Sequence, residues 1–286
     1  MSEIKKYLAC EGRVNIICAE TTDLVEEARK IHDLSPVATA ALGRVLTMGA
    51  IMSTRIKGED SITLQIKGNG PIGNVTCVLD GKQNVKGYVG DPLVDLPIRE
   101  DGKLDVGGAV GKEGFLYVIR DMGLKEPYIG VTPLVSGEIA EDFTKYFAES
   151  EQTPSAIALG VLVDKEGVKK AGGYLLTLMP DATEEDIKQI EEALKNAEPV
   201  TTMLDKNMSL QQIAETMTND DNLMVMVGEL IPKYSCNCSK EKFVNNLQKL
   251  GKKDIDHLFE EQATIETVCQ FCNKKYEFRR EDIENN

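Results

Sequence analysis

Four of the seven cysteines in this 286-residue chain lie in two short clusters near its C-terminal end. The first cluster is a C-x-C pair, Cys236 and Cys238, and thirty residues later follows a C-x-x-C pair, Cys269 and Cys272. Together the pairs can supply four sulfur ligands to one tetrahedral metal ion, the number that a structural zinc site uses. The pattern therefore requires the chain to fold back on itself so that the two pairs meet.

Three identities are open for this site: a zinc ion, an iron–sulfur cluster, or a chance clustering of cysteines. Zinc is favoured, one ion per chain, because four soft ligands are present and none is left over. His257 lies between the two pairs and is a rival ligand, although four thiolates already complete the shell. The residues between the pairs are expected to form a small helical cap with these apolar side chains: Phe243, Leu247, Leu250, Ile255, Leu258 and Phe259.

The charge of the chain limits its partners. It carries 33 basic and 47 acidic residues, a formal net charge of −14, which argues against nucleic acid and against anionic membranes. The start, MSEIKKYLACEG, lacks the apolar core of a signal peptide, and no uninterrupted apolar run approaches membrane-spanning length. We therefore expect a cytoplasmic protein, in which thiols stay reduced and clustered cysteines indicate metal binding or redox chemistry.

Residues 1–179 are predicted to form an α+β domain of mostly antiparallel sheets with helices. Alternating apolar residues predict a hairpin over residues 4–10 and 13–19. Ser35 and Pro36 mark the start of a helix that is apolar nearly all round and is therefore expected to be buried. Short strands separated by Gly, Asn and Asp turns follow from Ser61, and a closing hairpin ends the domain.

Residues 180–232 are predicted to form an acidic helical linker. Between Pro180 and Ile231 lie twelve acidic and three basic residues, so much of the chain's negative charge is here. Thr183 is expected to cap one helix, and Ser209 with Gln212 to cap another. The linker either has solvated faces or docks on the N-terminal domain, and docking would use these residues: Ile187, Ile190, Leu194, Leu210, Ile213 and Met217.

Motifs that would indicate catalysis are weak. GNGPIG matches a dinucleotide-binding pattern by letter, but a strand-like segment follows where a helix is required, so we predict a hairpin turn. GGAVGKEG is likewise predicted to be a loop, and His32, near a helix end, is expected to have a capping role. Three further cysteines lie in strand-like apolar surroundings and are expected to be buried: Cys10, Cys18 and Cys77. The chain is not expected to be an enzyme.

The segments CNCSKEKF and CQFCNKKYEF, with their thirty-residue gap, closely resemble the heat-shock protein 33 family of bacterial redox-regulated holdase chaperones. Other segments also resemble this family, among them TTDLVEEARKIHDLSPVATAALGR, GNGPIGNV and VSGEIAEDFTKYFAESEQTPSAIALGVLV. The resemblance extends over essentially the whole chain. It identifies residues 233–286 as a zinc-binding redox-switch domain that follows the N-terminal domain and the linker.

The resemblance implies an ATP-independent chaperone that is inactive while reduced and zinc-bound. Oxidative stress would form the disulfides Cys236–Cys238 and Cys269–Cys272, release zinc, and unfold the zinc unit and the linker. The active form, commonly a homodimer, would bind unfolding or oxidatively damaged proteins and prevent their aggregation. A static zinc ribbon that acts as a protein or RNA adaptor is the competing hypothesis, although residues 233–286 have no excess of Lys and Arg.

Overall fold

The computed structural model describes residues 2–260 and 262–284, and for residues 227–229 it describes the backbone only. The chain folds into two compact units, Met1–Tyr234 and Ser235–Asn286. The first unit combines two large sheets with helices, and the second adds a small two-stranded sheet, which gives the predicted α+β class. The boundary at residue 179 stays a prediction, because residues on both sides of it pack within the first unit.

The first sheet contains both predicted hairpins and is antiparallel throughout. In spatial order, its five strands are β10 (Met224–Leu230), β1 (Glu3–Ala9), β2 (Val14–Glu20), β9 (Gly167–Leu178) and β8 (Ser155–Asp164). Strand β10 pairs with β1 in an irregular register. Alternation along β2 sends Ile17 into the main hydrophobic core and Ile16 into a second cluster on the opposite face. Both faces of this sheet are therefore covered.

The second sheet has six strands. In spatial order, they are β11 (Lys233–Tyr234), β5 (Asn84–Val89), β4 (Asn74–Gly81), β3 (Gly58–Gly68), β6 (Gly114–Asp121) and β7 (Tyr128–Pro133). Only the pairing of β11 with β5 is parallel among the strand pairs of the described residues. GNGPIG connects β3 to β4 as the predicted turn, and a Cβ atom on Gly70 would lie only 2.2 Å from the carbonyl oxygen of Ala109.

Four helices pack against these sheets: α1 (Thr22–His32), α2 (Pro36–Ser53), α3 (Val106–Val110) and α4 (Ala140–Glu149). Helix α2 begins as predicted, since the Ser35 hydroxyl accepts a hydrogen bond from the Ala38 N–H. It contacts strands of both sheets and forms the centre of the core. By length and composition α2 could cross a membrane, but 89% of it is buried inside the protein, as in a core helix.

Helix α3 corrects the prediction of a loop for GGAVGKEG. The Asp105 carboxylate accepts a hydrogen bond from the Gly108 N–H at 2.8 Å and so caps the helix. The apolar side chains of Val106, Ala109 and Val110 are buried in the main core. A capping Asp followed by apolar residues was the signal for a short helix, and the glycines obscured it.

Three helices of the predicted linker cover the second face of the first sheet: α5 (Glu184–Asn196), α6 (Val200–Asp205) and α7 (Leu210–Thr218). The capping boxes at Thr183 and Ser209 are confirmed. Helix α6 and strand β10 were not predicted. Docking is confirmed for most of the predicted residues, since Ile190, Ile213 and Met217 are buried against the sheet.

Polar contacts also hold the linker at the turn between β1 and β2. Arg13 donates two hydrogen bonds to Asp186, at 2.7 and 3.1 Å, and these bonds hold the pKa of Asp186 well below its usual range. Gln189 donates a hydrogen bond to the carbonyl oxygen of Thr218 at 2.8 Å, which ties α5 to the end of α7. The acidic linker is therefore fixed by both apolar and charged contacts.

The second unit is small. Its elements are α8 (Lys240–Leu247), α9 (Lys252–Leu258), β12 (Thr264–Val268), β13 (Lys275–Arg279) and α10 (Arg280–Glu284). The predicted helical cap is confirmed except at Leu250, which is 41% exposed. Apart from Cys269, buried hydrophobic side chains are few in the described part of this unit: Val244, Ile265, Tyr276, Phe278 and Ile283.

Replacing Ile213 by Ala tests how the linker is held. Removing a buried Ile side chain costs about 2–5 kcal/mol, so we expect α7 to open more readily while the sheets stay intact. Hydrogen exchange of α5–α7 amides in the reduced protein should be faster than in the parent protein. Gln211→Ala, on the exposed face of the same helix, is the matched control, and equal exchange in the two variants would contradict apolar docking.

Candidate metal centre

The two cysteine pairs lie at the ends of different elements of the second unit. Cys236 and Cys238 lie in the segment before α8, and Cys269 and Cys272 lie in the connection between β12 and β13. Their four sulfur atoms all lie within 4.8 Å of one another. The structure thus brings together the four residues whose spacing suggested a metal site.

The C-x-x-C pair is shaped by a tight turn. The carbonyl oxygen of Cys269 accepts hydrogen bonds from the N–H groups of Cys272, at 3.2 Å, and Asn273, at 2.8 Å. Asn273 has a φ of +54°, a left-handed conformation that Asn tolerates better than most residues. The turn places both sulfurs on one side of the chain, facing the C-x-C pair.

The sulfur–sulfur distances fit a tetrahedral ion. Cys236 Sγ lies 3.7 Å from Cys269 Sγ, and Cys238 Sγ lies 3.4 Å from Cys272 Sγ. A zinc–sulfur bond of about 2.3 Å places the sulfurs of a tetrahedral site about 3.8 Å apart. All four cysteines are free thiols, Cys269 is buried, and the other three are half-buried. The donor set therefore suits a soft divalent cation.

The pKa values of the clustered thiols are shifted in different directions. Burial opposes the charge of Cys238, but hydrogen bonds from the Tyr276 hydroxyl and from neighbouring thiols lower its pKa to about 7. Burial and hydrogen bonding to the other thiols raise the pKa of Cys272 to about 12, and burial also raises the pKa of Cys236. Without a metal, burial therefore opposes thiolate formation at Cys236 and Cys272. Metal binding would release the remaining protons.

Tyr276 is a contact that sequence reasoning missed. Its phenolic oxygen lies 3.1 Å from Cys238 Sγ and 3.1 Å from the carbonyl oxygen of Cys238. The ring is buried against Phe243, with the ring centroids 5.0 Å apart, so the hydroxyl is held in place. The available signal was an aromatic residue with a polar tip four positions after Cys272. Such contacts orient a metal ligand and tune its basicity.

The remaining candidate residues lie elsewhere. His257 is exposed, and its Nδ1 lies 3.1 Å from a carboxylate oxygen of Glu260, outside the sulfur cluster. Cys10, Cys18 and Cys77 are buried in the first unit as predicted, and burial raises the pKa of each thiol, for Cys10 to about 11. These three thiols are therefore poor nucleophiles at neutral pH.

The capping role expected for His32 stays a prediction. His32 is the last residue of helix α1, and Asp33 follows it with a left-handed φ of +50°. His32 Nε2 lies 3.0 Å from the hydroxyl of Tyr234, the last residue of β11. That hydroxyl also donates a hydrogen bond to the carbonyl oxygen of Gly87 at 2.7 Å. These contacts hold the chain two residues before the first cysteine of the cluster.

Known proteins resemble this chain over nearly its full length. A family profile described as Hsp33 protein matches residues 2–279. A 33 kDa chaperonin of Acetivibrio thermocellus is 49% identical over 282 residues, which are 98% of this chain and 95% of the relative. One from Caldanaerobacter subterraneus is 49% identical over 284 residues, 98% of this chain and 96% of the relative. The crystal structure of a Thermotoga maritima 33 kDa chaperonin (heat shock protein 33 homolog) superposes with a TM-score of 0.91 at 38% identity, covering 99% of this chain and 97% of that one.

Replacing Tyr276 by Phe removes one hydroxyl and keeps the ring. Because outer contacts of this kind change metal affinity by about 10–100-fold, we expect the reduced variant to lose its metal to a competing chelator at least tenfold more readily. His257→Ala is the control and should keep the metal content of the parent protein. Unchanged retention in Tyr276→Phe would exclude the tyrosine contact, and metal loss in His257→Ala would refute the all-sulfur site.

Proposed function

The chain belongs to the Hsp33 family of chaperones, and we propose that it is a redox-regulated, ATP-independent holdase. In this proposal the reduced, metal-bound form is inactive, and oxidative stress converts it to a form that binds unfolding proteins. The observation that carries the proposal is the convergence of four half-buried or buried thiols in a unit with very few buried hydrophobic residues. A unit built in this way would depend on the redox state of its sulfurs.

The metal in this proposal is zinc, one ion per chain, with Cys236, Cys238, Cys269 and Cys272 as ligands. Four sulfurs without a histidine or carboxylate suit zinc, and the distances fit its tetrahedral geometry. Bound zinc would supply a cross-link between the β12–β13 connection and the segment before α8. It would also keep the sulfurs as thiolates, the form that oxidants attack.

Peroxide would convert these ligands to disulfides in two balanced steps. A thiolate sulfur takes one oxygen atom from peroxide and releases hydroxide, which leaves a sulfenic acid. The neighbouring thiolate then attacks that sulfur, expels a second hydroxide, and closes the disulfide. Each pair consumes one peroxide, and its two sulfurs are no longer charged ligands.

The proposed pairing is Cys236 with Cys238 and Cys269 with Cys272. The short contacts of 3.7 and 3.4 Å run between the pairs, so cross-linking Cys236 to Cys269 or Cys238 to Cys272 is the competing pairing. A cross-pair bond would tie the two parts of the unit together in place of the metal. Disulfides within the pairs would leave the segment before α8 and the β12–β13 connection without a cross-link. The proposed unfolding of the unit requires this separation.

Release of the linker would follow from loss of the second unit's order. Helices α5–α7 dock on the first sheet by a single apolar face, and their charge favours a disordered, solvated chain once docking weakens. The uncovered sheet face and the released apolar residues would then bind clients. We further propose a homodimer as the active form, a cytoplasmic location, no enzymatic activity, and neither nucleic acid nor membrane as a partner.

A peroxide titration tests the function as a whole. The reduced protein should not suppress the aggregation of a heat-unfolded test protein, as measured by light scattering. Peroxide should release one zinc per chain and switch suppression on over the same dose range, and a strong reductant with added zinc should switch it off. Cys77→Ala, which lacks a buried thiol outside the cluster, should behave like the parent protein. Zinc retention without suppression would favour the static adaptor.

The two disulfides are expected to form in a fixed order. A C-x-x-C pair closes with less backbone strain than a C-x-C pair, and strain makes a disulfide easier to reduce. We therefore expect Cys269–Cys272 to form first and Cys236–Cys238 later. Timed alkylation and peptide mapping after peroxide should resolve the two. Early appearance of Cys236–Cys238 alone, or of a bond between the pairs, would contradict this order.

Charge reversal in the linker tests whether its negative charge promotes release from the first sheet. Glu191 and Glu192 are exposed on α5, so Glu191→Lys with Glu192→Lys reduces self-repulsion without touching the docked face. The double variant should need a higher peroxide dose or temperature for the same suppression of aggregation. Glu126→Lys with Glu149→Lys, exposed positions outside the linker, changes the net charge equally and should leave the dose unchanged. Equal doses for both variants would contradict the role of linker charge.

A further inference from the structure

We propose that the outer side of β6 and β7 binds an extended apolar segment of a non-native polypeptide, which adds as a strand along β7. This inference rests on the proposed holdase function and assigns it a second contact surface outside the linker. We call this surface the β7 face, formed by these six residues: Phe115, Tyr117, Ile119, Ile129, Val131 and Pro133.

Alternation along both strands separates a buried side from an exposed apolar side. Leu116 and Val118 of β6 point into the core, as does Thr132 of β7. The neighbouring positions point outward, where Phe115 and Val131 are each 45% exposed and Ile129 is 52% exposed. Outward positions of an ordinary half-buried strand are polar, so this is an unusual composition for a face that water contacts.

The register makes these residues one continuous band. Phe115 pairs with Pro133, Tyr117 with Val131, and Ile119 with Ile129. Lys67 of the adjacent strand β3 lies with its Nζ 5.2 Å from the centre of the Tyr117 ring and supplies a cation beside the band. The band is therefore apolar, two strands wide, and bordered by a positive charge within an acidic protein.

Strand β7 is the last strand of its sheet and has an open edge among the described residues. The Leu134 N–H donates a hydrogen bond to the Gly114 carbonyl oxygen, so Leu134 turns its backbone groups toward β6. In an antiparallel pair, every second residue of a strand bonds to the neighbouring strand, and the residues between them turn their N–H and C=O groups to the other side. Ile129 and Val131 therefore present these groups to the open edge of the sheet. Pro133 has no N–H and ends the stretch that a further strand could join.

The other sheet offers a different surface. Its second face is covered by α5–α7, and its edge strand β8 packs against α4 and α6. Its other edge strand, β10, follows the linker helices and exposes Met224, Val225 and Met226. At β7 helix α4 packs on the inner side, where the Tyr146 ring lies against Gly130. An open edge and an open apolar face therefore coincide at β7 in the six-stranded sheet.

The size of the β7 face favours a peptide segment over a second copy of the chain. A six-residue strand is about 20 Å long and two strands are about 10 Å wide, which gives roughly 200 Å². Stable protein–protein interfaces bury about 800 Å² on each partner. One such contact would bind weakly, and it would strengthen client capture when a second surface binds the same chain.

A short peptide tests the β7 face separately from the switch. The probe is a fluorescently labelled, uncharged decapeptide of alternating Val and Thr, measured by fluorescence anisotropy with the reduced protein. Binding should be weak, similar before and after peroxide, and at least tenfold weaker for the same peptide with N-methyl groups on alternate amides. Equal binding of the N-methylated peptide would exclude strand addition, and binding seen only after peroxide would place the site on the linker-dependent surface.

A matched pair of variants locates the site. Val131→Lys places a charge on the β7 face, and Leu162→Lys places one on edge strand β8, at a position that is 42% exposed. We expect Val131→Lys to weaken peptide binding at least tenfold and to lower the suppression of aggregation after peroxide, with Leu162→Lys unchanged. Both should release zinc at the parent dose, which confirms that the switch is intact.

The outcomes separate this inference from the proposed function. If the parent protein suppresses aggregation after peroxide and Val131→Lys does so equally well, the β7 face is not a client surface while the holdase function stands. A parent protein that never suppresses aggregation overturns both. Sedimentation that shows a parent dimer dissociated by Val131→Lys would assign the face to a second copy and overturn the peptide assignment.

Discussion

In the proposed mechanism, the order of the second unit depends on four thiols being held together within 4.8 Å. Apart from Cys269, only five hydrophobic side chains are buried in this unit among its described residues, which is a small core for a segment of this length. A bound metal can supply on the order of 10–16 kcal/mol to a small zinc-binding fold, more than such a core provides. In this mechanism, oxidation that removes the sulfurs as charged ligands therefore removes most of the unit's stability.

In the linker, apolar contacts favour the docked state, whereas the negative charge of the segment opposes it. Its buried residues and the Arg13–Asp186 ion pair hold it on the first sheet, while its acidic excess favours solvation. Such segments lie near the low end of local stability within a protein. Just beyond it, Tyr234 is bound to Gly87 and His32 of the first unit, two residues before Cys236. The linker is thus held on the first sheet, and Tyr234 fixes the chain just after the linker by its contacts with Gly87 and His32.

Much of the fold could be predicted from local patterns. The N-terminal hairpin, the capped and buried α2, and the capping boxes of α5 and α7 each depend on neighbouring residues, which the sequence displays directly. Strand β10 could not be predicted in this way, because it pairs with β1 more than two hundred residues away and lies inside an acidic, helix-rich segment. Its run MVMV was the only local signal. The tyrosine beside Cys238 was missed because cysteine spacing predicts the ligands but not what contacts them.

The central claim is that the order of the linker depends on the metal-bound state of the second unit, and not on oxidation itself. The most direct test is hydrogen exchange of the amides in α5–α7 while a chelator removes the metal and a strong reductant keeps every thiol reduced. Loss of protection in these helices, with protection kept in α2 and the sheets, is the predicted result. Full protection of α5–α7 in the metal-free, reduced protein would contradict the coupling and separate the linker from the switch.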